Sequence, residues 1–143
     1  MTPNKWDMRF LGLAALIGTW SKDPSTQVGA VIVNDDRVVI GIGYNGFPRG
    51  VADTPERLND RETKYSLIVH AEINAILNAS GSVRGCTLYT SPFMPCVRCA
   101  GQIIQAGITR VVSIANDNPR WVDSFTQTRK LFEEASLILD IVG

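Results

Sequence analysis

The stretch from His70 to Cys99, HAEINAILNASGSVRGCTLYTSPFMPCVRC, determines how the rest of this chain is interpreted. It begins with His-Ala-Glu at residues 70–72 and ends with Pro-Cys-Val-Arg-Cys at residues 95–99. Imidazole and thiolate are preferred ligands of Zn²⁺, and a catalytic zinc site has three protein ligands and leaves a fourth position for water. His70, Cys96 and Cys99 supply such a set, which predicts one zinc ion per subunit.

The spacing of these residues suits a shared metal ion. Cys96 and Cys99 are three residues apart, so on a helix both side chains lie on the same face. Pro95 is typical of the first position of a helix, where its missing N–H is not needed. His70 precedes a second stretch with apolar residues at helical spacing, which are Ile73, Ile76 and Leu77. Two facing helix starts would surround one ion, and a helix N-terminus favours thiolate over thiol.

Glu72 is not required as a ligand and is therefore available for proton transfer. Zinc lowers the pKa of bound water towards neutrality, and a neighbouring carboxylate can pass the proton to a ring nitrogen and then to a departing amine. Attack on C4 of a cytosine with loss of ammonia needs these groups, and the H-x-E…P-C-x-x-C pattern is the signature of zinc-dependent nucleobase deaminases. The sequence predicts Glu72 as the catalytic acid and base.

Three alternative interpretations of this stretch stay open. A structural zinc site would need four ligands, whereas the chain has one histidine and three cysteines. The remaining cysteine, Cys86, begins an apolar strand-like run and is predicted to be a small buried side chain. A redox C-x-x-C motif would instead form a disulfide between Cys96 and Cys99. A catalytically silent nucleotide-binding zinc protein would keep the ligands without using Glu72.

Composition restricts the class of protein further. The formal net charge of zero argues against binding to a nucleic acid polymer through bulk electrostatics. The first ten residues lack the plan of a secretion signal, and no apolar run reaches membrane-spanning length. Two of the three cysteines are assigned to metal, which leaves no disulfide framework. These observations predict a cytoplasmic protein without a membrane partner.

Hydrophobic periodicity predicts the order α-β-β-α-β-α-β-α-β. Residues 7–19 form an amphipathic helix whose aromatic side chains, including Trp20, are assigned to the core. Two β-branched runs flank the turn at residues 34–36, and the first of them is apolar throughout, as expected for an interior strand. Further strands are predicted at residues 86–90, 110–115 and 137–142, and further helices at residues 95–106 and 123–135.

This order predicts one domain over residues 1–143, with a three-layer α/β/α architecture and a five-stranded mixed sheet. The later strands alternate with helices and should therefore be parallel. The chain length is sufficient for one domain with a hydrophobic core.

Two segments have competing interpretations. Residues 41–46 spell G-x-G-x-x-G after a strand, but a dinucleotide-binding loop must open a helix at once, and here Phe-Pro-Arg-Gly follows. The dinucleotide interpretation is therefore disfavoured. Residues 51–64 are polar and charged, and they form either an exposed loop with a short helix or a flap over the active site, because they join the Asn45 region to His70.

The chain resembles the cytidine and deoxycytidylate deaminase family, and most closely its deoxycytidylate (dCMP) branch. The resemblance covers nearly the whole chain, and three segments carry it: SKDPSTQVGA at 21–30, GYNGFPRG at 43–50 and HAEINAI at 70–76. It implies the cytidine deaminase-like fold and zinc-dependent hydrolysis of dCMP to dUMP and ammonia, supplying dUMP for thymidylate synthesis. The alternative activities are deamination of another cytosine or adenine nucleoside, or of a tRNA base.

The resemblance also implies substrate contacts. Asn45 would hydrogen-bond the sugar or hold the substrate loop, and Ser91 would offer its backbone carbonyl to the leaving amine. Ser21 and Lys22 would meet the 5′-phosphate, which suits a hydroxyl beside a cation.

Three further positions are assigned in the same way. Thr26 and Trp121 would lie near the base. Asn74 would orient the loop above Glu72 or cap local backbone.

Regulation and assembly are implied by the resemblance alone. Relatives are commonly homo-hexamers, and many are activated by dCTP and inhibited by dTTP through a loop that corresponds here to Tyr44, Gly46 and Arg49. Some relatives carry an additional structural zinc, but this chain lacks its ligands. Whether this chain retains the allosteric response, and whether it prefers deoxyribose, stays open at this stage.

Overall fold

The computed structural model describes residues 3–143, which form six α-helices, five strands and one 3₁₀ turn. The helices are α1 (Lys5–Gly18), α2 (Pro55–Asn59), α3 (Arg61–Leu67), α4 (Ala71–Leu77), α5 (Val97–Gln105) and α6 (Val122–Glu134). The strands are β1 (Gly29–Val33), β2 (Val39–Tyr44), β3 (Thr87–Ser91), β4 (Arg110–Ile114) and β5 (Ile138–Val142). The 3₁₀ turn is Pro119–Trp121, directly before α6.

The strands form one mixed sheet in the order β2-β1-β3-β4-β5. Strand β1 is antiparallel to both of its neighbours, whereas β3, β4 and β5 are parallel to one another. The predicted five-stranded mixed sheet with parallel later strands is therefore confirmed. All five residues of β1 are buried, as its uninterrupted apolar sequence predicted for an interior strand.

The two faces of the sheet are covered by different helices, which gives the predicted three-layer α/β/α architecture. Helix α1 packs on one face, where Phe10 and Ile17 meet Val31 and Val33 of β1. Helices α4, α5 and α6 cover the other face, whose core includes Ile32. Cys86 belongs to this second core and is 5% exposed, in agreement with its assignment as a small buried side chain.

The G-x-G of β2 allows α4 to lie directly on the strand. A Cβ atom at Gly41 would stand 2.6 Å from the carbonyl oxygen of Ala75, and one at Gly43 would stand 2.4 Å from the amide nitrogen of that residue. These approaches are far too short for a side chain, so only glycine permits the contact. The glycines therefore serve helix packing, and the next helix begins only at Pro55, which excludes a dinucleotide-binding loop.

Two predictions from periodicity need correction. Trp20 was assigned to the core, but it is 52% exposed because α1 ends at Gly18, and its ring meets the Tyr44 ring edge-on at 6.1 Å. Residues 51–64 include α2 and the first half of α3, so they are more helical than the sequence indicated. None of the helices described within residues 3–143 combines the length and the apolar content that a membrane-spanning segment needs.

A buried ionic cluster ties α1 to the sheet. Asp7 accepts two hydrogen bonds from the Arg110 guanidinium, both at 2.9 Å, and one from the Tyr89 hydroxyl at 2.7 Å. Arg110 also donates to Asp140 at 2.8 Å. Burial opposes ionisation of Asp7, but the hydrogen bonds from Arg110 and Tyr89 outweigh it and lower the pKa of Asp7 to about 2.

This cluster predicts a pH-dependent contribution to stability. Because the pKa of Asp7 is lowered on folding, its stabilising contribution is present above its ordinary value near 3.8 and is lost as the pH falls towards 2. The destabilisation caused by Asp7→Asn, measured by urea unfolding, should therefore shrink by about 2 kcal/mol between pH 5 and pH 2. Asp36→Asn, at an exposed turn, is the control for removing one carboxyl group. A pH dependence for Asp7→Asn no larger than that of this control would contradict the assignment.

Candidate active site

Three side chains from two helix starts converge on one point. His70 precedes α4, Cys96 precedes α5, and Cys99 lies in the first turn of α5. The Nδ1 atom of His70 lies 3.1 Å from the sulfur of Cys99 and 3.5 Å from that of Cys96, and all three ligand atoms lie within 4.8 Å of one another. Tetrahedral zinc places nitrogen and sulfur ligands about 3.5 Å apart, so this donor set fits a zinc ion.

The close contact of these three donors makes them share protons unequally, and Cys96 is the one that ionises most readily. A hydrogen bond from Cys99, followed by contact with His70, lowers the pKa of the Cys96 thiol, whereas the same hydrogen bond and burial raise the pKa of Cys99. Contact with Cys96 raises the pKa of His70, because the imidazolium is stabilised beside a thiolate. Sulfur that ionises readily beside imidazole is a ready ligand for a divalent ion.

Glu72 lies beside the three ligands, on the first turn of α4. The side chain is 5% exposed, and burial raises the pKa of Glu72 to about 7. A carboxylate with a pKa near neutrality can both accept and release a proton during a reaction, as a catalytic acid and base must.

A cleft opens above these residues, with about 640 Å³ of empty space counted with its open mouth. Among the residues predicted from sequence, the cleft brings together His70, Glu72, Cys96, Asn45, Thr26 and Trp121.

The aromatic side chains of the cleft form one wall. The Phe93 ring lies 5.3 Å from the Trp121 ring and 5.7 Å from the Phe125 ring. The family resemblance places Trp121 near the base, whereas nothing in the sequence analysis points to Phe93 or Phe125. Both are apolar residues in the segments next to Pro95 and Trp121, a position that could have suggested them. The wall offers flat surfaces on which a planar ring can stack.

Next to the aromatic wall, a further side of the cleft carries cations that sequence reasoning missed, and the Arg120 guanidinium stacks over the Trp121 ring at 4.9 Å. Lys64 and Tyr65 project from α3, and Arg120 projects from the 3₁₀ turn. The Tyr65 hydroxyl accepts hydrogen bonds from Arg120 and, at 3.2 Å, from Arg61. The hydrogen bond from Arg61, followed by that from Arg120, lowers the pKa of Tyr65. Two guanidinium groups that converge on one oxygen mark this region as suited to an anion.

Lys64 joins α3 to the segment before β1. Its ammonium group donates to Asp23 at 3.1 Å and to the Ser25 hydroxyl at 2.8 Å. Although burial opposes the charge on Asp23, hydrogen bonds from Ser25 and Lys64 lower the pKa of this carboxyl group. The segment of residues 51–64 thus ends at a residue that lines the cleft. This position favours the interpretation of the segment as a flap over the active site, rather than as an exposed loop with a short helix.

Asn45 holds the segment that forms the floor of the cleft. Its side-chain oxygen accepts from the Val28 amide at 2.9 Å, and its side-chain nitrogen donates to the Thr26 carbonyl at 2.8 Å. The Ser21 hydroxyl donates to the Asn45 backbone carbonyl at 2.8 Å and is itself buried. Through these contacts, the side-chain amide of Asn45 fixes the loop that includes Thr26.

Two other residues predicted to contact the substrate, Lys22 and Asn74, do not line the cleft. The Lys22 ammonium is 3.0 Å from Asp53, is largely exposed, and lines a neighbouring cavity. Asn74 donates to the Tyr44 carbonyl at 2.8 Å and to the Val69 carbonyl at 3.3 Å, on the outer side of α4. Ser91 is buried at the end of β3.

The three residues predicted for an effector line a separate surface cavity. Tyr44, Gly46 and Arg49 lie there together with Asn74. Gly46 and Val69 exchange backbone hydrogen bonds at 3.1 and 2.8 Å, so the cavity is joined to the residue before His70. The Arg49 guanidinium donates to Asn78 at 3.1 Å.

A carboxylate beside His-Cys-Cys donors, set at two helix starts on one face of this sheet, defines the class of zinc-dependent nucleobase deaminases. Residues 4–115 match the family described as the cytidine and deoxycytidylate deaminase zinc-binding region. The chain belongs to the cytidine and deoxycytidylate deaminase family, and it is a zinc-binding member.

Individual relatives agree with this assignment. An "uncharacterized deaminase in luxG 3′region" of Aliivibrio fischeri is 42% identical over 137 residues, covering 94% of this chain and 91% of that protein. Human deoxycytidylate deaminase is 43% identical over 139 residues, covering 93% and 77%. The fold is shared with the dCMP deaminase of cyanophage S-TIM5 in complex with dCMP and dUMP, with a TM-score of 0.78, 21% identity, and coverage of 99% and 100%.

Proposed function

We propose that the chain hydrolyses dCMP to dUMP and ammonia. The observation that carries this proposal is that Glu72 and the cluster of zinc donors lie at a cleft that is also lined by two cations, Lys64 and Arg120. Named deoxycytidylate deaminases at 43–44% identity over 139 residues support the choice of substrate.

The chemistry follows from the position of Glu72. Bound zinc supplies an activated water to the site when it is present. The Glu72 carboxylate then takes a proton from the attacking water and delivers it to N3 of the cytosine ring. A second transfer through the same carboxyl group protonates the amino group on C4, which leaves as ammonia. The balance is one dCMP and one water consumed for one dUMP and one ammonia formed.

Neighbouring groups would orient the base and sugar. The wall formed by Phe93, Trp121 and Phe125 would stack on the pyrimidine. The Ser91 backbone carbonyl would accept from the departing amine, and Thr26 would lie beside the base. Asn45 would act mainly through the loop that it holds.

The 5′-phosphate would occupy the cationic side of the cleft. Arg120 and Arg61 both donate to the Tyr65 hydroxyl, and Lys64 precedes Tyr65 on α3. A phosphate bearing two charges is a stronger acceptor than a phenol and would draw on these donors. This location differs from the Ser21–Lys22 pair that the resemblance suggested, and Lys22 stays a competing candidate because it is exposed.

The phosphate site predicts a substrate-dependent effect of one substitution. Arg120→Gln should lower kcat/KM for dCMP about 10- to 100-fold, the value of a charge-assisted hydrogen bond. The much slower reaction with deoxycytidine, which has no phosphate, should change less than about twofold. Steady-state ammonia release with both substrates measures the difference.

Two further variants make this experiment decisive. Arg129→Gln removes the same charge from an exposed position on α6 and should leave both rates unchanged. Lys22→Gln tests the alternative position of the 5′-phosphate, beside Ser21 and Lys22. A selective loss of dCMP activity in Lys22→Gln, with none in Arg120→Gln, would move the phosphate to the Ser21–Lys22 side.

We also infer that the Tyr44–Arg49 cavity takes a deoxynucleoside triphosphate effector and that the chain assembles as a homo-hexamer. Arg49 supplies a cation to that cavity, and the Gly46–Val69 hydrogen bonds lead from it to His70. The Asn74 side-chain amide donates to the Tyr44 carbonyl and to the Val69 carbonyl, and so links the cavity to the segment before His70. Rate assays with added dCTP or dTTP test the first inference, and sedimentation equilibrium tests the second.

A further inference from the structure

Two of the metal ligands occupy helix N-cap positions. His70 is the N-cap of α4, and Cys96 is the N-cap of α5. An N-cap side chain normally accepts a hydrogen bond from the first free amides of its helix. Among the described residues, neither ligand makes a side-chain capping bond, because each side chain is directed towards the metal site.

Helix α6 supplies the missing partner for α5. The Ser124 hydroxyl oxygen accepts a hydrogen bond from the Val97 amide at 2.9 Å. Four residues further along α6, the Thr128 hydroxyl donates to the Pro95 carbonyl at 3.0 Å. Because residues four apart lie on the same face of a helix, one face of α6 holds both sides of Cys96.

These two bonds fix the backbone of Cys96. The Thr128 bond holds the peptide group before Cys96, and the Ser124 bond holds the peptide group after it. With both peptide planes held, φ and ψ of Cys96 stay near −72° and 166°, and the direction of its Cα–Cβ bond is set. Thr128 is fully buried, so its hydroxyl has little alternative to the Pro95 carbonyl.

We propose that Ser124 and Thr128 are positioning residues for the zinc site and that they act by holding the Pro95–Cys96–Val97 backbone. Neither side chain needs to touch the metal or the substrate. Groups that orient metal ligands from outside typically change metal affinity 10- to 100-fold when they are removed. The proposal concerns retention of zinc and is independent of which nucleotide the enzyme deaminates.

The test compares zinc release from full-length, zinc-loaded variants into a colorimetric chelator. Ser124→Ala and Thr128→Val should each release zinc about 10-fold faster than wild type. The thiolate-to-cobalt absorption bands of the Co²⁺-substituted variants should also shift, because the Cys96 sulfur is less well oriented. Ser124→Thr and Thr128→Ser, which keep the hydroxyl groups, should restore release to within about threefold of wild type.

Thr128 allows positioning to be separated from ordinary packing. Thr128→Val keeps the buried volume and loses the hydrogen bond, whereas Thr128→Ser keeps the hydrogen bond and loses a methyl group. If Thr128 acts by positioning Cys96, only the Thr128→Val variant should release zinc fast. If Thr128→Ser releases zinc as fast as Thr128→Val, the role of Thr128 is structural and the proposal fails. The same conclusion holds if the zinc-release rates of the two variants simply increase in proportion to their loss in Tm.

Two further variants complete the experiment. Thr126→Val removes a hydroxyl from the same helix that donates only to the Val122 carbonyl of that helix, and zinc release should stay at the wild-type rate. Should Thr128→Val fail to fold, Ser124→Ala at its partly exposed position decides the question, and wild-type release from it would overturn the proposal.

Discussion

Glu72→Gln is expected to lower kcat for dCMP by about 10³-fold while zinc content stays near one ion per chain. Glutamine has the size of glutamate but cannot accept and return a proton, so the chemical step loses its acid and base. The three ligands at His70, Cys96 and Cys99 are unchanged, and binding of the metal should therefore persist. Ammonia release and elemental analysis of the same preparation measure both quantities.

The control for this variant is Glu62→Gln, which makes the same change at an exposed position on α3. It should deaminate dCMP at the wild-type rate. If Glu72→Gln retained the wild-type rate, proton transfer would have to proceed without this carboxylate. That result would remove the mechanism proposed here and favour another acid in the cleft.

Cys99→Ala is expected to eliminate both bound zinc and detectable turnover. The sulfur of Cys99 lies 3.1 Å from Nδ1 of His70, and two remaining ligands hold zinc far less tightly than three. The variant should also unfold at a lower temperature, because metal binding to the folded state contributes to stability. Elemental analysis, dCMP turnover and thermal unfolding give the three measurements.

Cys86 offers a matched control for this experiment. It is buried like Cys99, at 5% and 2% exposure, and Cys86→Ala removes the same thiol from the core of the second face. This variant should keep one zinc ion and near wild-type turnover, with a modest loss of stability. Zinc retained by Cys99→Ala but lost by Cys86→Ala would invalidate the ligand assignment.

The metal site was predictable because its signal is local. Cys96 and Cys99 share one helix turn, and Glu72 follows His70 by two residues, so short spacings specify most of the geometry. The sheet was predictable for a similar reason, since β1 reads as an interior strand from its own composition. Neither inference needed information about which distant segments meet.

The cationic side of the cleft could not be inferred in this way. Arg120 and Tyr65 are 55 residues apart and meet only because α3 and the 3₁₀ turn are brought to the same opening. In the sequence, Lys64 is one of many charged residues in a polar segment, whereas Lys22 was assigned to the phosphate from the family resemblance, with a neighbouring hydroxyl in its favour. The choice among such cations depends on tertiary structure, in which Lys22 pairs with Asp53 instead.

The contact between β2 and α4 has a consequence for natural variation in this enzyme. Helix α4 carries Glu72 and begins at His70, and it rests on the bare backbone of Gly41 and Gly43. Even a methyl group at either glycine would push the helix outward and carry the acid and one metal ligand with it. Inactivating alleles should therefore arise at these two glycines of an edge strand, which meet neither nucleotide nor ion, and a survey that ranks positions by distance from the reaction centre would overlook them.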